Sequence, residues 1–332
     1  MFIGHALLAF ALAALVADWR GWERRQALLV GVVAGAFATI PDIDVTYALV
    51  GLLEWNAGDG ALAASSAFWD ASRGVHRSVT HSLIVGAVAA PAFGSFAVRG
   101  PGSGRVRLAR SVGLGILVAL VAVAFLEGGP VAAFVMGLFA ASGVLVAVGA
   151  ARATALSVRT IVLAALWGLW SHPWGDLATG SPPDWVYPFE STLLSTRVVL
   201  HPDPTLHLLG AFAIELAAIW LALVAICRLT DRSLLAFVDR RAAVGAAYGI
   251  AALAVTPPTL EVSYHFVFSI LGVGLLCGVV RGPPSPTSPG LRPQSLPRPS
   301  TDSTLEVALT AVTAVTVALA AYAAVYLFVA PA

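Results

Sequence analysis

The chain has 332 residues, of which 58% are hydrophobic and only 11% are charged, with a mean hydropathy of +0.86 and a net charge of +1. A soluble domain carries about 25% charged residues, so this composition excludes an ordinary water-soluble domain. The near-neutral charge gives no field that would recruit nucleic acid. All 19 basic residues are arginine. The two cysteines, Cys227 and Cys277, sit in apolar runs and read as small core residues, not as a disulfide or a zinc pair. The first apolar stretch starts at Phe2 with no basic leader, which argues against a cleavable signal peptide.

Apolar runs close to the length of a membrane-spanning helix fall at 2–17, 27–40, 80–98, 111–126, 130–150, 160–178, 206–227, 242–256, 264–280 and 305–328. They predict an all-α, polytopic transmembrane bundle of about 8–10 helices. Runs 27–40 and 242–256 are short enough to be half-buried or re-entrant. Within the long connection 41–79, the apolar piece 45–55 suits the membrane interface better than a span. Segment 281–304 is rich in Pro, Ser and Arg and reads as a linker. The expected organisation is a membrane domain over 1–205, further spanning helices over 206–280, that linker, and a C-terminal helix over 305–332.

The arginines are unevenly distributed. Connections 18–26, 99–110, 151–159, 228–241 and 281–304 hold all of them except Arg73, Arg77 and Arg197. The positive-inside rule makes the Arg-rich set cytoplasmic and both termini extracytoplasmic. The protein is therefore expected in the plasma or inner membrane, with the lipid bilayer as its partner and no nucleic acid.

Histidines and acidic residues gather in five clusters. They are Gly4-His5, Pro41-Asp42-Ile43-Asp44, the string His76-Arg77-Ser78-Val79-Thr80-His81-Ser82, His172 with Asp176, and Pro188-Phe189-Glu190. Under the topology above, all five lie at one membrane face. Ionisable groups at membrane depth are costly and point to function. Imidazole with carboxylate suits a divalent ion, zinc first and manganese second. His172 and Asp176 are four residues apart and share a helix face, while Pro173 disturbs that turn. His76 and His81 do not share a face, and work together if His81 opens a helix capped by Ser78. Blander readings exist for each cluster: Pro41–Asp44 as a turn, and His172 with Asp176 as a hydrogen-bonded helix end. His201, His207 and His265 read as interfacial polar residues.

The same residues carry a family resemblance. Gly-His-Ala-Leu-Leu at 4–8, Pro-Asp-Ile-Asp at 41–44, His-Arg-Ser-Val-Thr-His-Ser at 76–82 and Ser-His-x-x-x-Asp-x-x-Thr-Gly at 171–180 occur in order. This resembles the YdjM-like family of membrane-bound, metal-dependent hydrolases, described as LexA-binding and inner membrane-associated. The resemblance covers about residues 1–190, and there is a looser similarity to zinc-dependent phospholipase C and nuclease enzymes. It departs from the expected pattern at Pro173 and Trp174, and at Ser78, where the family usually has glycine. Nothing in the sequence bears on LexA.

The resemblance implies a membrane-embedded, metal-dependent hydrolase with His5, Asp42, Asp44, His76, His81, His172 and Asp176 as its polar site. On this reading Asp44 is a ligand or the base, and Arg77 grips a phosphate through paired N–H donors. A phosphoester or lipid-like amphiphile is the expected substrate. The alternatives are a metal-ion or proton transporter using the same cluster, and a structural membrane protein stapled by a metal. Against transport, the helices offer mainly Glu215 away from the site. A reporter enzyme fused at the N-terminus is expected to score as extracytoplasmic; a cytoplasmic score would invert the predicted orientation.

Overall fold

The structure is a computed structural model. It describes residues 2–47, 60, 77, 79–100, 103–180, 182–190, 194–280 and 301–329. His76, Ser78 and most of the 45–55 and 281–304 segments lie outside the described residues. Those described form helices joined by turns and loops, with no strand among them. The chain divides into two compact units, Met1–Val198 and Val199–Ala332.

The first unit begins with α1 (Phe2–Trp19), a short turn, and α2 (Arg24–Ala38), which runs on into a 3-10 turn at Pro41–Tyr47. After the 41–79 connection come α3 (Leu83–Phe96), α4 (Ser103–Ala153) and α5 (Val158–Gly175), which ends in a 3-10 turn at Asp176–Ala178. Lipid gives helices no hydrophobic reason to associate, so close approach through small residues must supply the attraction. The contacts here follow that rule. A methyl group at Gly35 would sit 2.8 Å from the Ala6 carbonyl oxygen of α1. One at Gly168 of α5 would collide with the Ala34 carbonyl of α2, and one at Gly94 of α3 with Val162 of α5. Phe93 lies between Phe37 and Phe139, with ring centroids 5.9 and 5.7 Å away.

The helix α4 would be about 76 Å long if straight, more than twice a bilayer's hydrocarbon core. It is not straight. Gly129 has φ 71°, and Pro130 follows it. Gly113 abuts Ser95 while Gly143 abuts Phe93. Those two glycines would be about 45 Å apart on one continuous helix, so the halves fold back on each other. The two runs 111–126 and 130–150 seen in the sequence are the two legs of this helical hairpin.

The second unit contains α6 (Pro204–Leu229), 3-10 turns at Leu234–Phe237 and Arg240–Ile250, the short α7 (Ala251–Ala254), α8 (Tyr264–Val279) and α9 (Thr301–Val329). Asp203 caps α6 by accepting from the Leu206 amide at 2.8 Å. Leu208, Phe266, Ile270, Val315 and Tyr322 form its core. Run 242–256 is a 3-10 segment followed by one turn of α-helix, not a regular span.

The segments Arg24–Tyr47, Gly104–Ala153, Pro204–Leu229 and Asp302–Val329 are long and apolar enough to cross a membrane. The chain is a membrane protein with an all-α bundle. Overpacking a tight contact costs about 1–3 kcal/mol. Gly168→Val is therefore expected to lower the thermal unfolding temperature in detergent. Gly149→Ala, where nothing stands within 4 Å of the added methyl, should leave it unchanged or higher.

Candidate metal centre

Each polar motif is delivered by a helix end. Asp42 and Asp44 lie on the 3-10 turn after α2. Three residues per turn place side chains two apart on different sides of such a turn. The two carboxylates accordingly reach opposite nitrogens of one imidazole. Asp42 Oδ1 is 3.8 Å from His81 Nε2, and Asp44 Oδ2 is 3.5 Å from His81 Nδ1.

His81 immediately precedes the cap of α3. The cap is Ser82, whose hydroxyl accepts from the Ile84 and Val85 amides at 3.2 and 3.3 Å. The cap lies four residues beyond the Ser78 expected from the sequence, so His81 precedes the helix and does not open it. The Ser82 hydroxyl also donates to the Tyr187 carbonyl at 2.9 Å, and the Leu83 amide donates to the Trp185 carbonyl at 2.9 Å. The loop around Pro188 thereby buttresses the segment that carries His81. It also lines a cavity of about 410 Å³ that includes Asp184, Trp185, Tyr187, Phe189 and Glu190.

His172 comes from the last turn of α5, and Asp176 from the 3-10 turn just beyond, so Pro173 does not prevent their approach. His172 Nε2 is 3.7 Å from Asp176 Oδ2 and 3.3 Å from Asp42 Oδ1. His5 enters from the first turn of α1. Its ring lies 4.1 Å from that of His172, and its Nε2 is 3.3 Å from Asp176 Oδ1. Gly175 makes room for it, since a methyl there would collide with the His5 ring.

Arg77 turns inward. Its Nη2 donates to Asp176 Oδ1 at 2.9 Å and to Thr179 Oγ1 at 3.2 Å. Its backbone, at φ 71°, donates from N to Asp44 Oδ2 at 3.0 Å and accepts at O from the Asp184 amide at 3.2 Å. A methyl at Gly180 would strike the guanidinium. The side chain expected to reach outward for a phosphate is instead packed against Asp176. The structure thus brings together His5, Asp42, Asp44, Arg77, His81, His172 and Asp176; His76 lies outside the described residues.

Burial at the centre is nearly complete. Side-chain exposure is 0% for His81, His172 and Asp44, 2% for Asp176 and 9% for Asp42. The hydrogen bonds then decide where the lone pairs point. His172 Nδ1 lies 2.6 Å from the Ala38 carbonyl oxygen. A carbonyl can only accept, so Nδ1 donates, and a neutral His172 carries its lone pair on Nε2. Thr80 Oγ1 donates to Asp44 Oδ2 at 3.3 Å and lies 3.0 Å from His81 Nδ1. With its proton directed to the carboxylate, the hydroxyl accepts from Nδ1–H, and His81 too carries its lone pair on Nε2. Yet the two Nε2 atoms are 3.1 Å apart. Lone pairs facing each other at that distance repel unless a proton or a metal ion lies between them, and a metal ion satisfies both nitrogens at once.

Asp176 Oδ2 adds to the case. It is buried and forms no hydrogen bond with any described residue, with His81 Nε2 3.4 Å away. Four atoms converge: His81 Nε2, His172 Nε2, Asp42 Oδ1 and Asp176 Oδ2. Five of their six separations run from 3.1 to 3.8 Å. A tetrahedron with centre-to-corner bonds of about 2.0–2.1 Å has edges of about 3.3–3.4 Å. The groups His81, His172, Asp176 and His5, Asp42, His172 are each close enough to hold a metal ion, and the donor set fits one.

The description YdjM inner membrane protein belongs to a family model that matches residues 1–238, more than two thirds of the chain. The chain belongs to the YdjM inner membrane protein family. No curated protein and no solved structure matches it. The YdjM match takes in the whole first unit, and with it every residue of the centre. Sequence reasoning missed Thr80, Thr179, Gly175, Gly180 and the Ala38 carbonyl. Three of these carried a signal, since Thr80 falls inside the 76–82 string and Thr179 and Gly180 fall inside the Asp-x-x-Thr-Gly string.

Removing one partner of a buried ion pair costs about 3–5 kcal/mol, whereas an exposed pair is worth about 0–1 kcal/mol. Asp176→Ala, which strands Arg77, is expected to destabilise the protein strongly in a thermal melt. Asp302→Ala, which removes the exposed pair with Arg232 at 2.7 Å, should barely register.

Proposed function

We propose that this YdjM-family protein is a membrane-embedded, metal-dependent hydrolase. Its ligands are His81, His172, Asp42 and Asp176, and zinc is the ion of choice. The observation that carries the proposal is the convergence of two imidazole nitrogens and two carboxylate oxygens, with five of their six separations between 3.1 and 3.8 Å. Two nitrogens with two oxygens suit zinc, and manganese is the second choice. The chemistry such an ion supplies when bound is Lewis-acid activation of water, whose pKa falls towards about 7.

The chain's own residues hold the donors in place. The Ala38 carbonyl fixes the His172 ring, and Thr80 with Asp44 fixes His81. Partners of this kind set the tautomer and raise the basicity of a ligating histidine. Asp44 receives the Arg77 amide and the Thr80 hydroxyl and is fully buried, so it acts behind His81 and not on substrate. Asp42 is the most exposed of the three carboxylates and marks the side from which substrate and water arrive. Arg77 orients Asp176; a direct grip on a phosphate is no longer its best role.

The substrate class follows from the setting. The centre sits at helix ends in a membrane protein, beside a loop cavity with aromatic and acidic walls. An amphiphile whose scissile bond lies near the lipid–water boundary fits that setting, and a phosphoester lipid is the reading we favour. The arginine distribution puts this boundary on the extracytoplasmic side.

Detergent-purified protein is expected to retain zinc or manganese by elemental analysis, and His172→Ala and His81→Ala are expected to lose it. The metal-loaded wild type should cleave a phospholipid, a lipid-linked phosphate or a model phosphodiester, and a chelator should abolish that activity. Protein that takes up no metal even after reloading would refute the centre. Metal-loaded protein inert on all three substrates would refute the hydrolase.

A further inference from the structure

The centre contains more ligating groups than one ion needs. His5 and Asp176 Oδ1 lie beside the four donors, and carboxylates that bridge two ions are a common way to build a dinuclear site. Which kind of centre this is depends on what already occupies Asp176 Oδ1. It is a guanidinium: Arg77 Nη2 lies 2.9 Å from that oxygen. A cation bound there cannot share the position with a second metal ion, whose charge would repel it.

Charge balance leads to the same result independently. Asp42, Asp44 and Asp176 bring three negative charges into a site where none of them is more than a tenth exposed. Histidines that bind metal do so as neutral rings. Buried charge is tolerated when it is compensated. Arg77 supplies one positive charge and a single divalent ion supplies two, which brings the described residues of the centre to zero. Two divalent ions would leave it two charges positive, with the guanidinium held inside. Gly180 belongs to the same device, because only a residue without a side chain leaves the guanidinium its place.

We infer that the centre is mononuclear, with Arg77 standing where a second metal ion would otherwise bind. His5 is then a neighbour that steadies Asp176 Oδ1, not a ligand. This inference rests on the metal-centre reading above and specifies its stoichiometry.

The test is a zinc-to-protein ratio, measured by elemental analysis on tag-free, full-length protein in detergent, saturated with zinc and desalted. Wild type is expected to hold one ion per chain. His5→Ala and Arg77→Lys are expected to hold one as well, the lysine keeping the charge in place. Arg77→Gln is expected to take up a second ion, and the Arg77→Gln, His5→Ala double variant to lose it again. Two ions in the wild type, falling to one in His5→Ala, would overturn the inference; so would folded Arg77→Gln that saturates at one. If Arg77→Gln does not fold, the wild-type and His5→Ala ratios decide alone. No ion at all in the wild type would instead overturn the metal centre itself.

Discussion

Three carboxylates and three imidazoles, packed together and almost wholly withdrawn from solvent, are the arrangement on which the rest of the first unit depends. Uncompensated, such a cluster would be among the most expensive things a protein could place at the end of a helix bundle. It exists because four helix ends and an inward-facing arginine converge on it, each supplying a partner to the next. His5, Asp42, His81 and His172 arrive on different segments of chain, so the helices must pack in one register for the distances to hold. The glycines that let α1, α2, α3 and α5 approach closely are thus part of the site's geometry as well as of the bundle's stability.

The polar site was largely legible in the sequence because polar residues are so rare in this chain. Against a background of Ala, Val and Leu, the strings at 4–8, 41–44, 76–82 and 171–180 stand out, and their family pattern added an order. The helical class was equally plain from the length and spacing of the apolar runs. Harder to see was the division of labour inside the strings. Asp42 and Asp44 look equivalent on paper, yet the 3-10 turn sends one to Nε2 and the other to Nδ1 of the same histidine. Ser78 reads as the helix start on paper, and the hydrogen bonds put the cap at Ser82.

Arg77 is the most instructive difference. An arginine next to a histidine at a membrane face reads naturally as an anion receptor. The sequence contains no sign that the backbone adopts φ 71° there, nor that Gly180, a hundred residues on, has cleared the space its guanidinium fills. Long-range complementarity of this sort leaves no periodic trace. The same holds for the Ala38 carbonyl, which any residue at that position could have offered. Its role comes from where α2 stops, not from what the residue is.

The break in α4 has a consequence for how the protein sits in the membrane. Because the two legs double back at Gly129 and Pro130, a run of about fifty residues has its beginning and its end on the same side. Arg105, Arg107 and Arg110 at one foot and Arg152 at the other are then neighbours in depth, and Glu127 is carried across at the tip. By the positive-inside rule, arginines at both feet favour one side of the bilayer for both ends, and the connection between the legs is no more than the turn itself.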